Sequence, residues 1–385
     1  MQTFELIATC AAGIEALVGR ELRDLGYDVQ VENGRVRFRG TIKDILTANL
    51  WLRTADRIKI VVKEFSAVTF TELFDNTRAI QWDELLPMDA HFPVEGRSHN
   101  SQLHSVPDAQ AIVKKAIVDQ LSDIYHRRSR LPETGATFPL EVVINKDEVM
   151  LTLDTTGDSL FKRGYRVGKG NAPLKENMAA ALILLTHWNP SDMPFVDPVC
   201  GSGTLAIEAS LIARNIAPGF NRRFVCEDWP WVPTTVADEV RDAADDRADY
   251  DSEFDISGSD IDPEMVAIAK KNAQAAGLSQ DITFTVADVT TFETDKLNGV
   301  IVANPPYGER LSDEASVREL YRGMGRAFKR LPTWSKYILT SDLDFETSYG
   351  QRATKKRKLY NGALRTDLYQ YWGKPIWQHD EPAAK

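Results

Sequence analysis

The spacing of apolar residues divides the chain into three stretches of different character. In the first 62 residues strand and helix signals alternate. Residues 3–9 read as a strand, and Ile14, Leu17, Val18, Leu22 and Leu25 fall on one face of a helix over 12–25. Asn33-Gly34, set between Val29/Val31 and Val36/Phe38, is a two-residue hairpin signal, and a helix over 42–52 follows. This order predicts a small α+β domain of ferredoxin-like type over 1–62. Residues 63–162 predict a second α+β unit. Within it Ile112, Val113, Ala116, Ile117, Leu121 and Ile124 repeat at helical spacing, and 142–144 and 149–153 read as a hairpin across Lys146-Asp147. Gly164, Gly168 and Gly170 make 163–172 the linker candidate.

The pattern then changes. Strand signals at 195–200, 256–260, 282–286, 300–303 and 337–340 alternate with helices at 204–213 and 263–276, the latter closed by Gly277. A further stripe of Val317, Leu320, Tyr321, Met324, Phe328 and Leu331 marks another helix, and a hairpin around Asn361-Gly362 ends the pattern. Residues 163–385 are therefore expected to be α/β, a Rossmann-like, doubly wound, mostly parallel sheet with a terminal antiparallel hairpin. Ligands bind such sheets at the carboxyl ends of the strands.

With 385 residues, 43% of them hydrophobic and 26% charged, the chain has the make-up of a soluble globular protein. Three distant cysteines, Cys10, Cys200 and Cys226, argue against a disulfide scaffold or a Cys-rich zinc module and for a reducing, cytoplasmic setting. The longest apolar run, 179–185, is too short for a membrane span, and no basic segment precedes an apolar stretch at the N-terminus, so neither a membrane nor a secretory signal is expected. The six histidines include no close pair at ligand spacing, so no metal is expected. A net charge of -10 would argue against a nucleic-acid partner, but its placement changes that picture. Between Glu227 and Asp255 stand 11 acids and two bases, while Arg352, Lys355, Lys356, Arg357, Lys358 and Arg365 fall in a stretch, 347–366, that has no acid.

Four elements could carry chemistry. The turn Asp197-Pro198-Val199-Cys200-Gly201-Ser202-Gly203 runs from a strand into a helix, where Gly201 and Gly203 let backbone N–H groups approach a ligand. No Gly-Lys-Ser/Thr follows, so it is not a Walker A loop, and Ala206 stands where a third dinucleotide-binding glycine would be. Cys200 reads as a small packed residue of this turn rather than a nucleophile. Asp260 ends the next strand, where an acid can accept both ribose hydroxyls; Asp262, before Pro263, reads better as a helix cap. Asp288 follows the strand after that, placed to accept from an adenine amino group. Last, Asn304-Pro305-Pro306-Tyr307-Gly308 follows an apolar strand. Consecutive prolines remove two backbone donors and leave carbonyls free, Asn304 adds an acceptor, and Tyr307 adds an aromatic face. Such a site accepts hydrogen bonds from a planar amino group while stacking its ring, and favours positive charge developing on the nitrogen.

These residues resemble the class I S-adenosylmethionine-dependent methyltransferases that methylate amino groups. The resemblance implies that Gly201 and Gly203, with Asp197 and Cys200, hold the methionine end of S-adenosylmethionine, Asp260 its ribose and Asp288 its adenine. Asn304, Pro305, Pro306 and Tyr307 match the catalytic N-P-P-Y motif. Asn171-Ala172-Pro173-Leu174-Lys175-Glu176-Asn177 resembles the preceding motif, in which Pro173 and Leu174 line the cofactor. Upstream, Gly96-Arg97-Ser98-His99-Asn100-Ser101-Gln102-Leu103, with the helix and hairpin that follow, resembles a THUMP RNA-binding domain. Leu160-Phe161-Lys162-Arg163-Gly164-Tyr165-Arg166 resembles the junction into the catalytic domain. Over nearly its whole length the chain is similar to the guanine-N2 half of the bacterial 23S ribosomal RNA (guanine-N2) methyltransferases. That implies methylation of a guanosine N2 in 23S ribosomal RNA, as a protein-poor precursor, with Arg97, Lys114 and Lys115 upstream and Lys355, Lys356, Arg357 and Lys358 beside the catalytic face touching RNA.

The motif also occurs in adenine-N6 methyltransferases of DNA and RNA and in glutamine-N5 methyltransferases of proteins. A DNA adenine enzyme would act on duplex DNA without residues 1–160. An RNA-binding assembly factor with a vestigial cofactor site would fail to bind S-adenosylmethionine.

Overall fold

A computed structural model of the chain describes residues 2–127, 130–167, 174–307, 314–362, 364–374 and 376. They form two compact units, one of Met1–Cys10, Val18–Leu160 and Arg222–Ala243 and one of Ala11–Leu17, Phe161–Asn221 and Ala244–Lys385.

The amino-terminal elements run β1 (Phe4–Thr9), α1 (Glu15–Asp24), β2 (Gln30–Glu32), β3 (Arg35–Gly40), α2 (Ile42–Trp51) and β4 (Arg57–Ser66). Next come α3 (Phe70–Arg78), β5 (Val94–His99), α4 (Val106–Ile124), β6 (Leu140–Asn145) and β7 (Glu148–Asp154). Helix α1 starts later than the periodicity suggests, because Gly13 takes φ +97° and donates its N–H to Glu15 Oε2. Both hairpin turns form, and at the second Lys146 and Asp147 take φ 54° and 65°, the left-handed pair a tight two-residue turn requires.

The strands of the two expected α+β units join in one sheet of seven, in the order β2-β3-β1-β4-β7-β6-β5. The reason is β4. Residues 57–60 pair with β1 and 59–66 with β7, so Lys59 and Ile60 pair on both sides, with a bulge between Val61 and Lys63. A bulge bends its strand and raises the twist. The boundary drawn at 62/63 thus falls inside a continuous strand.

The second half of the acidic stretch belongs to the other unit, but its start packs here. Trp229 is 1% exposed, stacks on Phe138 at 4.9 Å and 11°, and donates its indole N–H to the Thr137 carbonyl. Trp231 packs on Phe4 and donates to the Leu85 carbonyl at 3.0 Å. Arg241 reaches Glu227 at 2.8 Å. These residues, which stand out in sequence only as part of an acidic stretch, anchor a strap across the first unit.

In the second unit the order is α5 (Glu176–Leu184), β8 (Phe195–Asp197), α6 (Thr204–Ala213), α7 (Thr234–Asp245, which starts in the first unit), β9 (Ile256–Asp260), α8 (Pro263–Ala275) and β10 (Ile282–Val286). Then follow β11 (Val300–Ala303), α9 (Glu314–Lys329), β12 (Ser335–Thr340), α10 (Phe345–Tyr349), β13 (Lys355–Asn361) and β14 (Leu364–Tyr371). The sheet order is β10-β9-β8-β11-β12-β14-β13, parallel from β10 to β12 and antiparallel over the last two pairs. The expected fold class is the observed one. Chain order runs outward from β8 to β9 and β10 on one side and resumes at β11 on the other, which opens a crevice at their carboxyl ends. Strand β8 is three residues, not six, because the Asp197 carboxylate accepts the Val199 N–H and turns the chain. Among the described residues no helix is long and apolar enough to cross a membrane.

Trp229→Ala is expected to cost about 3–5 kcal/mol by emptying a packed aromatic site. Urea unfolding followed by circular dichroism checks this; a loss under 1 kcal/mol would mean the strap is not part of the core.

Candidate active site at the carboxyl ends of four strands

The four elements singled out in the sequence stand at the carboxyl ends of four adjacent strands: Asp197–Gly203 after β8, Asp260 on β9, Asp288 after β10 and Asn304–Tyr307 after β11. At about 4.8 Å per strand the row spans roughly 15 Å.

The turn after β8 is tightly specified. Gly203 takes φ +83° as the cap of α6, and a Cβ there would lie 2.9 Å from the Ala269 Cβ and 3.0 Å from the Phe284 ring. Only glycine fits both the backbone and the space. Gly201, at φ +50°, donates its N–H to Asp260 Oδ2 at 2.9 Å, and a Cβ there would meet nothing within 4 Å, so its outer face is open. Cys200 is buried and its N–H binds the Ser259 carbonyl; burial, then the nearby Asp197 and Asp260, push its thiol far up, so it is a packed neutral side chain.

Asp197 and Asp260 differ although they sit on neighbouring strands. Asp260 receives Gly201 N–H on one oxygen and Asp262 N–H, at 3.0 Å, on the other. Asp197 is 1% exposed and accepts the Val199 N–H at 3.3 Å. Burial first, and the Asp260 charge with it, push the Asp197 carboxyl up to about 8. Asp262 caps α8 through the Glu264 N–H, as expected. Asp288 also caps, accepting the Thr290 N–H at 2.8 Å for a short 3₁₀ turn.

After β11, Tyr307 donates its hydroxyl to Asn304 Oδ1, which fixes the side-chain amide. Burial pushes the Tyr307 phenol up, so it stays a donor. One expectation is corrected here. The proline carbonyls are not both free, because Tyr321 on α9 donates its hydroxyl to the Pro306 carbonyl at 2.9 Å. Among the described residues the Pro305 carbonyl shows no such bond.

Sequence reasoning missed two things. Ile261, directly after Asp260, is 69% exposed, an apolar face beside the acid where an apolar residue in a cap position was the available signal. Arg166 was passed over inside the linker candidate. It binds Glu176 Oε1 at 2.9 Å and, at 3.2 Å each, Ser202 Oγ, the Leu174 carbonyl and Thr204 Oγ1. Arg163 and Tyr165 are buried against Glu208. Residues 163–167 are therefore structural and not a linker. Leu174 is buried; Pro173, with Gly168 and Gly170, lies outside the described residues.

The basic candidates divide. Lys114 pairs with Glu133 at 2.9 Å and lies over the Phe92 ring, and Arg97 pairs with Glu141. Lys115 is exposed and lies over the Phe74 ring. The stretch from Lys355 to Lys358 was expected beside the catalytic face, leading into the terminal hairpin. All four residues stand on edge strand β13, three strands from β11, with side chains that alternate between faces. Lys356 pairs with Glu346, and Arg357 donates to the Gly13 carbonyl at 2.8 Å. Lys358 lies level with Asp367 and Thr340, at the carboxyl end of β12, with its ammonium 5.1 Å from the Tyr360 ring.

A parallel sheet with this row of residues defines a class I methyltransferase. Residues 163–370 match the family described as RMKL-like, methyltransferase domain; residues 5–59 match the RlmL ferredoxin-like domain and 67–154 the THUMP domain. A Bacillus subtilis (strain 168) protein, provisionally named RNA methyltransferase YpsC, is 53% identical over 97% of both chains. Ribosomal RNA large subunit methyltransferase K/L of Shewanella baltica is 33% identical over 93% of this chain, which spans about half (51%) of that protein. Two solved structures superpose with TM-scores of 0.93. One is a Listeria monocytogenes protein described, by prediction, as an N6-adenine-specific DNA methylase, at 59% identity over 97% of both chains. The other is SMU.472, described as a provisional methyltransferase complexed with SAH, at 54% identity over 98% of this chain and 100% of that one. The chain belongs to the RMKL-like methyltransferase family and uses S-adenosylmethionine.

The site suits such a cofactor on its own geometry. The outer face of Gly201 is open, Ile261 offers an apolar face beside Asp260, and a cation would stabilise the ionised form of the buried Asp197.

The raised Asp197 carboxyl carries a signed consequence. Its folded pKa lies above the value of about 3.9 expected unfolded, so the cofactor-free protein loses stability as pH rises from about 4 to about 8 and levels off above. Melting temperatures over pH 5–8 should fall less in Asp197→Asn than in the wild type. Parallel curves would show that Asp197 is ionised throughout.

Proposed function

We propose that the protein transfers a methyl group to the exocyclic N2 amino group of a guanosine in 23S ribosomal RNA. The observation that carries the amino-group part is the acceptor pair at the end of β11: the Asn304 amide, fixed by the Tyr307 hydroxyl, and the Pro305 carbonyl beside it. The ribosomal RNA part is supported by the THUMP match and by the name of the K/L relatives.

Bound S-adenosylmethionine supplies an electrophilic methyl on sulfur, and as the new N–C bond forms the S–C bond breaks and the nitrogen later sheds a proton. In this reading Asp197 ionises against the positive end of the cofactor, Asp260 takes the ribose hydroxyls on its remaining lone pairs, and Ile261 and Asp288 flank the adenine. The extruded base stacks on Tyr307. Asn304 Oδ1 and the Pro305 carbonyl accept its two amino protons, which aims the nitrogen lone pair and favours positive charge building there. In this reading Lys358, beside Tyr360 on the terminal hairpin, and Lys115 in the first unit touch RNA, and Arg97, exposed but paired with Glu141, does so less freely. Lys114 and Arg357 are engaged within the protein.

The test uses labelled S-adenosylmethionine with ribosomal RNA from cells lacking the protein and, separately, duplex DNA, followed by mass spectrometry of the nucleosides. N2-methylguanosine in 23S RNA is expected. Methyladenine, in DNA or RNA, would make this an adenine-N6 enzyme and overturn the substrate assignment. Asn304→Ala should lose at least 100-fold in kcat, on the order of removing one transition-state contact, with S-adenosylmethionine affinity unchanged; equal loss of cofactor binding would refute its role. Lys358→Glu should weaken RNA binding several-fold and flatten its salt dependence, while Lys355→Glu, on the opposite face of β13, should do less. Equal effects would count against a contact through this face.

A further inference from the structure

Tyr321 stands in the apolar stripe of α9 and is fully buried. Its ring meets Phe345 edge-on at 4.8 Å, inside an aromatic cluster that continues to Tyr349 and Tyr369. Packing alone does not need a hydroxyl, and this one has two partners. It lies 2.9 Å from the Pro306 carbonyl and 3.0 Å from Thr340 Oγ1 at the end of β12. Thr340 Oγ1 accepts the Asp342 N–H at 3.1 Å, and Tyr369 donates to the Asp342 carbonyl at 3.0 Å.

A carbonyl brings no proton and a phenol brings one, so the directions follow. Tyr321 donates to Pro306, and Thr340 donates to Tyr321. Burial pushes the Tyr321 phenol up to about 12, so the proton stays in place. The Pro306 carbonyl belongs to the planar peptide unit that joins Pro306 to Tyr307. Holding its oxygen sets that plane and the start of Tyr307, whose own hydroxyl then holds Asn304 Oδ1. Two hydrogen bonds and a rigid diproline thus close a loop of constraint from the core to the acceptor amide.

We propose that Tyr321 is a positioning residue for methyl transfer, its hydroxyl setting the Pro306–Tyr307 peptide plane on which the Asn304 and Tyr307 geometry depends. This rests on the acceptor role proposed for Asn304, and the experiment separates the two.

Full-length Tyr321→Phe, Thr340→Ser, Thr340→Val and Asn304→Ala are compared with the wild type on the nucleic acid that the wild type methylates, 23S ribosomal RNA or duplex DNA. The readouts are kcat, KM for the nucleic acid, S-adenosylmethionine affinity by calorimetry and melting temperature. Tyr321→Phe should lower kcat about ten- to a hundredfold, the scale on which small misplacements of reacting groups are felt. Its KM and cofactor affinity should stay within twofold. Thr340→Val should lose a few-fold, with Thr340→Ser restoring wild-type turnover; this pair decides the matter if Tyr321→Phe does not fold. Wild-type kcat in Tyr321→Phe beside an inactive Asn304→Ala would refute the inference and leave the acceptor reading intact. A fall in cofactor affinity matching the fall in kcat would refute it as well. A fully active Asn304→Ala would remove the acceptor reading and the inference with it.

Discussion

The ligand end of the second sheet depends on the guanidinium of Arg166. Its planar fork reaches Glu176, Ser202, Thr204 and the Leu174 carbonyl, groups on both sides of β8 in sequence. Asn272 on α8 repeats the arrangement, donating to the Ser202 carbonyl and accepting the Val167 N–H, each at 2.9 Å. Between them the two side chains tie the turn after β8 to helices α5 and α8. The ion pair with Glu176 is largely buried, and removing one partner of such a pair costs about 3–5 kcal/mol because the other charge is left uncompensated. The turn is therefore set before any ligand arrives, which is the condition for backbone N–H groups to act without reorganising.

That rigidity lets two aspartates on adjacent strands behave differently. Asp260 accepts two backbone N–H groups, while Asp197 has one longer bond and a buried setting. A second negative charge so close is unfavourable until a cation offsets it. On the β8 side of the row, Asp197 is thus a carboxyl whose ionised form a bound cation would stabilise. Among the described residues the β11 side presents neutral acceptors, the Asn304 amide and the Pro305 carbonyl.

The element pattern was legible because it rests on local rules. Asn33-Gly34 and Asn361-Gly362 turn hairpins through glycine φ values of +73° and +67°, and Gly201 and Gly203 mark the turn by their backbone needs. What sequence concealed were positions where tertiary contacts outvote composition. Arg163, Tyr165 and Arg166 sit among glycines and read as linker, yet Arg163 and Tyr165 are buried against Glu208 and Arg166 is held by Glu176. Trp229 and Trp231 lie in an acidic block, and only their aromatic partners in the first unit reveal why. Lys355 to Lys358 has poor strand propensity, but pairing with β14 makes it an edge strand, where lysines discourage further pairing. Tyr321 fits the helical stripe as core, and its hydroxyl bond is invisible to periodicity.

The chemistry of the acceptor end also says where selectivity must arise. If Asn304 and the Pro305 carbonyl accept the amino protons as proposed, they read an –NH2 on a flat base, and both guanine and adenine carry one. The loop closed by Tyr321 and Tyr307 makes that reading strict in geometry while leaving it permissive in base identity. Discrimination must then come from which nucleotide reaches Tyr307. That depends on surfaces remote from the reacting atoms, the terminal hairpin and the THUMP-containing unit. A site rigid at the nitrogen and indifferent to the ring would admit more than one substrate, and the proteins similar to this chain carry both RNA and DNA methylase names.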